Sequence, residues 1–107
     1  MYQLAFYVPE GYLEPVKEAV FAAGGGKYQE YDMCAWQTLG RGQFRPLDGA
    51  DPFIGRQGQL EHEPEYKVEL LVVEDQAREV VEALLQAHPY EEVAYSLMRM
   101  YTLHDLP

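Results

Sequence analysis

The sequence predicts an α+β fold in which a βαβ unit is written twice. Alternating apolar residues open each half, an amphipathic helical stripe follows in each, and the halves align at an offset of 64 residues. Tyr2 matches Tyr66, Val8 matches Val72, Glu10 matches Glu74, Val16 matches Val80 and Glu18 matches Glu82. Ala19 matches Ala83, Ala23 matches Ala87 and Tyr31 matches Tyr95, so that thirty gapless positions hold eight identities. Two right-handed βαβ crossovers sharing one sheet give four antiparallel strands with both helices on one face, the ferredoxin-like arrangement.

Each element has its own signal. Tyr2, Leu4, Phe6 and Val8 alternate with Gln3, Ala5 and Tyr7, the pattern of a strand with one buried face. Pro9 ends that strand, and Pro15 sits near a helix start, where its missing N–H costs nothing. Leu13, Val16, Ala19, Val20 and Ala23 form one helical stripe, and Gly24-Gly25-Gly26 stops it. Lys27–Leu39 reads as the second strand, with Tyr31, Met33 and Ala35 on one face. A loop follows over Gly40–Gly58. Tyr66, Val68, Leu70 and Val72 alternate as the third strand, and Asp75 is placed to cap a second helix. That helix carries Ala77, Val80, Val81, Leu84 and Leu85, and His88-Pro89 ends it, because proline disfavours helical geometry at the residue before it. Glu91–Tyr101 reads as the last strand, with Val93, Tyr95 and Leu97 on one face. The sheet face away from the helices would carry Ala5, Tyr7, Cys34, Trp36, Leu71, Val73, Met98 and Met100. Such a face is too apolar for solvent and predicts burial by another subunit.

A chain of 107 residues is one domain by size, spanning residues 1–107. Its formal net charge of −10 argues against nucleic acid or an anionic membrane as partner, since both need clustered Lys and Arg. The lone Cys34 permits no internal disulfide, which fits a reducing, cytoplasmic setting. No basic leader and no long apolar run precede the first strand, so neither a signal peptide nor a transmembrane span is expected. Nine Tyr suggest an intermediate environment such as a subunit interface.

The candidate sites lie in two stretches. The first, Gly40–Gly58, holds Arg41, Arg45 and Arg56, three of the chain's eight basic residues. Arginine suits bidentate capture of a carboxylate or phosphate, and a Gly-rich backbone lets a ligand approach closely. The alternative is pairing of these Arg with acidic residues of the same or a neighbouring subunit. The second stretch is HPYEEVAY, His88–Tyr95. His88 with Glu91 and Cys34 has the donor types for a borderline divalent ion, and Tyr90 suits an interface or ligand contact. His88 capping a helix end is the competing reading. The alternating Glu61, Glu63, Glu65 and Glu69 read as a solvated strand face. No nucleophile–base pair and no ligand-spaced histidines are visible, which predicts that the chain is not an enzyme.

The run GQFRPLDGADPFIGRQGQLE, HPYEEVAY and the flanking βαβ halves resemble the insert domain of the Nif3-like (YqfO-type) proteins, dinuclear-metal proteins labelled GTP cyclohydrolase type 2-like. The resemblance covers Tyr2 to about Tyr101, and its most specific part is G-x-F-x-P-x-x-G-x-x-P-x-I-G at Gly42–Gly55. HPYE is also similar to the matching segment of CutA-like proteins. The resemblance implies a fold of the PII and CutA kind that forms trimers, with partner contacts on the loop between the second and third strands. The family's dinuclear ligands lie outside the insert, so the hydrolase label does not transfer to a free-standing insert-type domain. Three functions follow as expectations. The first is a homo-oligomeric binding or regulatory module with contacts at intersubunit clefts. The second is copper or zinc binding in the manner of CutA. The third is an accessory subunit for a separate Nif3-like main domain.

Overall fold

The repeat holds closely through both helices. The computed structural model describes residues 1–107, in the order β1 (Tyr2–Pro9), α1 (Leu13–Ala22), β2 (Trp36–Phe44), β3 (Glu61–Val72), α2 (Ala77–Ala87) and β4 (Tyr95–Arg99). Each helix is entered through a short 3₁₀ turn, Glu10–Tyr12 before α1 and Glu74–Gln76 before α2. Asp75 lies inside that second turn; Gln76 stands at the cap position of α2, with no side-chain cap bond. At the far end of α2, His88 is already extended, as Pro89 requires. No helix is long and apolar enough to cross a membrane.

The four strands form one antiparallel sheet in the order β2-β3-β1-β4. Leu4, Phe6 and Val8 of β1 and Val68, Leu70 and Val72 of β3 point to one face, where Leu13, Val16 and Val20 of α1 and Val80 and Leu84 of α2 close over them. Phe6, Leu4, Leu84 and most of the valines are wholly buried. At about 25 cal/mol per Å² of apolar area removed from water, this layer is the main stabilising element of the chain.

The gapless repeat fails at its last strand. Ser96 of β4 opposes Ala5, so an unbroken repeat would set Asp32 opposite Glu69; the residue found there is Trp36, four positions later. The extra residues form a tight turn, in which Tyr28 and Tyr31 exchange backbone hydrogen bonds and Gln29 and Met33 take positive φ. Tyr31 and Met33 are therefore exposed turn residues and not strand partners. Displacing β2 also carries it into the expected loop: Gly40–Phe44 is strand, and the loop proper is shorter. At the other edge β4 is short, spanning Tyr95–Arg99 and not Glu91–Tyr101.

The uncovered sheet face is more mixed than the apolar pattern implied. Alternate residues point to opposite faces, so Gln3, Glu65, Lys67 and Glu69 share this face with Ala5, Tyr7 and Leu71. Gln3 donates to Glu69 at 2.6 Å and Lys67 lies 3.8 Å from the same carboxylate. Cys34 precedes β2, while Val73 and Met100 follow β3 and β4. Trp36 and Met98 remain 64% and 61% exposed on this face.

Candidate functional site: a cavity under the β2–β3 loop

The loop after Phe44 carries its own bonding. Gly58 N–H donates to the Pro46 carbonyl at 2.7 Å, and the Gln57 amide donates to the carbonyls of Asp48 and Ala50 at 2.9 and 3.0 Å. Positive φ at Gly55 and Gly58 turns the chain back toward β3. Asp51 N–H donates to both oxygens of Glu91, at 3.1 and 3.3 Å, tying the loop to the segment before β4.

Between the loop, the Tyr7 end of the sheet and Tyr90–Ala94 lies a cavity of about 590 Å³. Its walls are aromatic: Tyr7, Phe44, Phe53 and Tyr90, with Pro and aliphatic residues of the loop between them. Tyr90 lies within 6.3 Å of Phe44 and 6.4 Å of Phe53, ring centre to ring centre, and Phe53 meets Tyr12 edge-on at 5.5 Å. The charged lining residues are Glu65, Glu91, Glu92 and Arg45. The Tyr90 hydroxyl donates to Glu65 Oε2 at 2.8 Å. Burial raises the Tyr90 pKa well above the ordinary phenol value, and the Glu65 hydrogen bond and the charges of Glu65 and Glu63 raise it further. Glu65 can lie flat across β2 because Gly42 has no side chain; a methyl group there would overlap its carboxylate.

His88 builds one end of this wall. It is only 6% exposed, and both ring nitrogens are engaged. Nε2 lies 2.7 Å from the Tyr7 carbonyl, and Nδ1 accepts from Tyr90 N–H at 3.1 Å. Since Nδ1 must accept, the proton is on Nε2, which donates to Tyr7. Burial holds the imidazole pKa below its ordinary value, against the opposing pull of the Tyr7 carbonyl and the Glu65 charge.

The residues singled out from the sequence are divided by the fold. His88, Tyr90, Glu91 and Arg45 come together at the cavity. Arg41 lies on β2 in a separate groove with Leu39, His62, Glu63 and Pro64, and Arg56 lines neither. None of the three Arg makes an ion pair within 4.0 Å in the chain. Cys34 is at the opposite end of the sheet: its N–H donates to Gly26, whose own N–H reaches Leu71, the partner of Gln3. No three His, Cys, Asp or Glu side chains cluster as a metal would need. With both His88 nitrogens held by backbone and Cys34 remote, the donor set does not fit a metal ion.

Gly42, Phe44, Phe53, Glu65 and Tyr7 join the site only through the fold. Glu65 was legible only as one of an alternating acidic row; its partner Tyr90 lies 25 residues on, beyond α2.

No protein-family profile matches the chain. A protein named GTP cyclohydrolase 1 type 2 homolog from Bacillus subtilis is 45% identical over 95 residues, covering 89% of this chain and 26% of that protein. Its counterpart in Halalkalibacterium halodurans is 43% identical over 97 residues, covering 91% of this chain and 26% of the relative. The chain thus spans about a quarter of the length of these relatives. A Bacillus cereus protein related to NIF3 superposes with a TM-score of 0.77 at 34% identity, over 90% of this chain and 24% of that one. CutA1 from Pyrococcus horikoshii superposes at 0.69 with 18% identity, over 96% of this chain and 86% of that one, a likeness of fold alone. The chain is therefore homologous to a quarter-length segment of the Nif3-related proteins named GTP cyclohydrolase 1 type 2 homolog, on a ferredoxin-like fold that it shares with CutA.

Proposed function

We propose that the chain is a non-enzymatic binding module that assembles with copies of itself and takes its ligand in the cavity under the β2–β3 loop. The cavity carries this reading. Its volume is that of a small-molecule site, four separate stretches of chain wall it, and the loop above it is bonded to itself. Catalysis has less support, because His88 is engaged by backbone on both sides and Tyr90 is held as a neutral phenol. Assembly is supported by Trp36 and Met98, exposed on the sheet face that no helix covers. Arg45 is the one Arg positioned to meet a ligand in the cavity.

Ligand-observed NMR screening of a metabolite set against the wild type and Phe53→Ala tests the binding part. Compounds that bind the wild type and are lost in Phe53→Ala support it; binding that is indifferent to Phe53 overturns the site. Light scattering at micromolar concentration tests assembly, and a monomer overturns it.

A second reading rests on the quarter-length match: the chain acts together with a domain of the kind that makes up the rest of those relatives. Calorimetric titration of the chain into a Nif3-related protein lacking the matching segment tests it. Heat of binding supports the reading and its absence overturns it. A CutA from Archaeoglobus fulgidus is named a divalent cation tolerance protein, but divalent-metal binding has no support in the donor geometry here.

A further inference from the structure

From the charge and the aromatic walls of the cavity, we infer that it selects an organic cation: an amine or quaternary ammonium group carried on an apolar body. The inference rests on the binding-module reading and names the ligand class of that site.

Three features support it. First, the charged groups lining the cavity are three carboxylates, Glu65, Glu91 and Glu92, against the single guanidinium of Arg45. Glu65 spends only Oε2 on Tyr90, which leaves Oε1 free to accept from a ligand ammonium. Glu91 is held by the Asp51 N–H, and Glu92 has no hydrogen-bond partner in the chain. Second, the walls are aromatic. Tyr7, Phe44, Phe53 and Tyr90 border the same space, and Phe53 is 49% exposed. Aromatic faces carry a negative quadrupole and attract cations, most strongly where water is excluded, which is how choline-type groups are recognised. Third, the Tyr90 phenol sits among negative groups: after burial, the Glu65 hydrogen bond and then the charges of Glu65 and Glu63 oppose its ionisation.

Gly42 ties the arrangement to the strand. Its backbone has ordinary strand geometry, so an alanine there keeps β2 while its methyl displaces the flexible end of Glu65. The carboxylate can thus be moved without touching the core.

The test is a ¹⁵N–¹H NMR titration of the full chain with phenethylamine, 2-phenylethanol and 3-phenylpropionate, which share one apolar body and differ in charge. Phenethylamine is expected to shift the amides of Gly42, Phe44, Phe53 and Tyr90 and to bind about tenfold more tightly than the alcohol. Glu65→Gln and Gly42→Ala are each expected to remove most of that preference. Tighter binding of phenylpropionate, or equal binding of all three, overturns the cation assignment and leaves the binding module standing. No shift of cavity amides with any probe overturns both. Cavity shifts that change on dilution of the protein alone mark a second copy as occupant and overturn the assignment.

Discussion

The two halves of this chain solve the same problem with different chemistry. After α1, Gly26 N–H donates directly to the Leu71 carbonyl at 2.8 Å. The repeat equates Gly26 with Tyr90, Leu71 with Tyr7 and Gly24 with His88. After α2 the corresponding N–H and carbonyl do not meet. The His88 imidazole stands between them, accepting from Tyr90 and donating to Tyr7. In the first half, glycine lets two backbones touch; a side chain on Gly26 would strike the Cys34 carbonyl and the Phe21 ring. In the second half, the backbones are held one ring apart. The residue at the Gly26 position is then free to carry a large side chain, and Tyr90 sends its ring between Phe44 and Phe53. One half closes tightly and the other holds a cavity.

The contrast can be broken in several places. The largest loss is expected for Phe6→Ala, at the core that both halves share: about 3–5 kcal/mol by urea denaturation. His88→Ala should cost about 2–4 kcal/mol, because it strands the Tyr90 N–H and the Tyr7 carbonyl without partners and leaves a void. Gly26→Ala should cost about 1–3 kcal/mol, through positive φ and contact with backbone. If His88→Ala proves harmless while Gly26→Ala does not, the imidazole is not the structural equivalent of the direct bond. Tyr90→Phe, which removes only the hydroxyl, should cost about 1 kcal/mol.

Acidity sharpens the same comparison. The folded His88 pKa lies below the unfolded value of about 6.5, so the unfolded chain binds its proton first as pH falls. The stability this neutral imidazole contributes is complete above about pH 6.5 and is lost as pH falls toward the folded value. Tyr90 has the opposite sense: its contribution is complete below about pH 10 and is lost as pH rises beyond it. Thermal melts from pH 4 to 7 should show a slope that His88→Gln flattens and Gly26→Ala leaves in place. The exposed Arg99–Glu74 pair at 2.7 Å should matter least, with Arg99→Met leaving the melting midpoint unchanged.

Much of this was legible in the chain. The alternation at Tyr2–Val8 and Tyr66–Val72 marked the central strands, because each buries one face against the helices and its period therefore reports its environment. The helical stripes placed α1 and α2 for the same reason. The edges were less legible. β2 has only one neighbouring strand and little burial, so its start was set by the Tyr28–Tyr31 turn and not by hydrophobic period. At the site, His88, Tyr90, Glu91 and Arg45 were visible as chemistry, but their partners lie far off in sequence. Arg41 and Arg56 look alike to Arg45 along the chain, yet the fold sets Arg41 in a separate groove and Arg56 in neither.

Sequence alone determined the duplicated architecture, the shared core and the two stretches that come to line the cavity, because periodicity and local punctuation are properties of neighbouring residues. Only the tertiary structure decided the register of β2, the use of both His88 nitrogens, the approach of Glu65 to Tyr90 over Gly42 and the predominance of carboxylates around the cavity. Those features depend on contacts between strands and loops, and no local pattern encodes which distant groups will face one another.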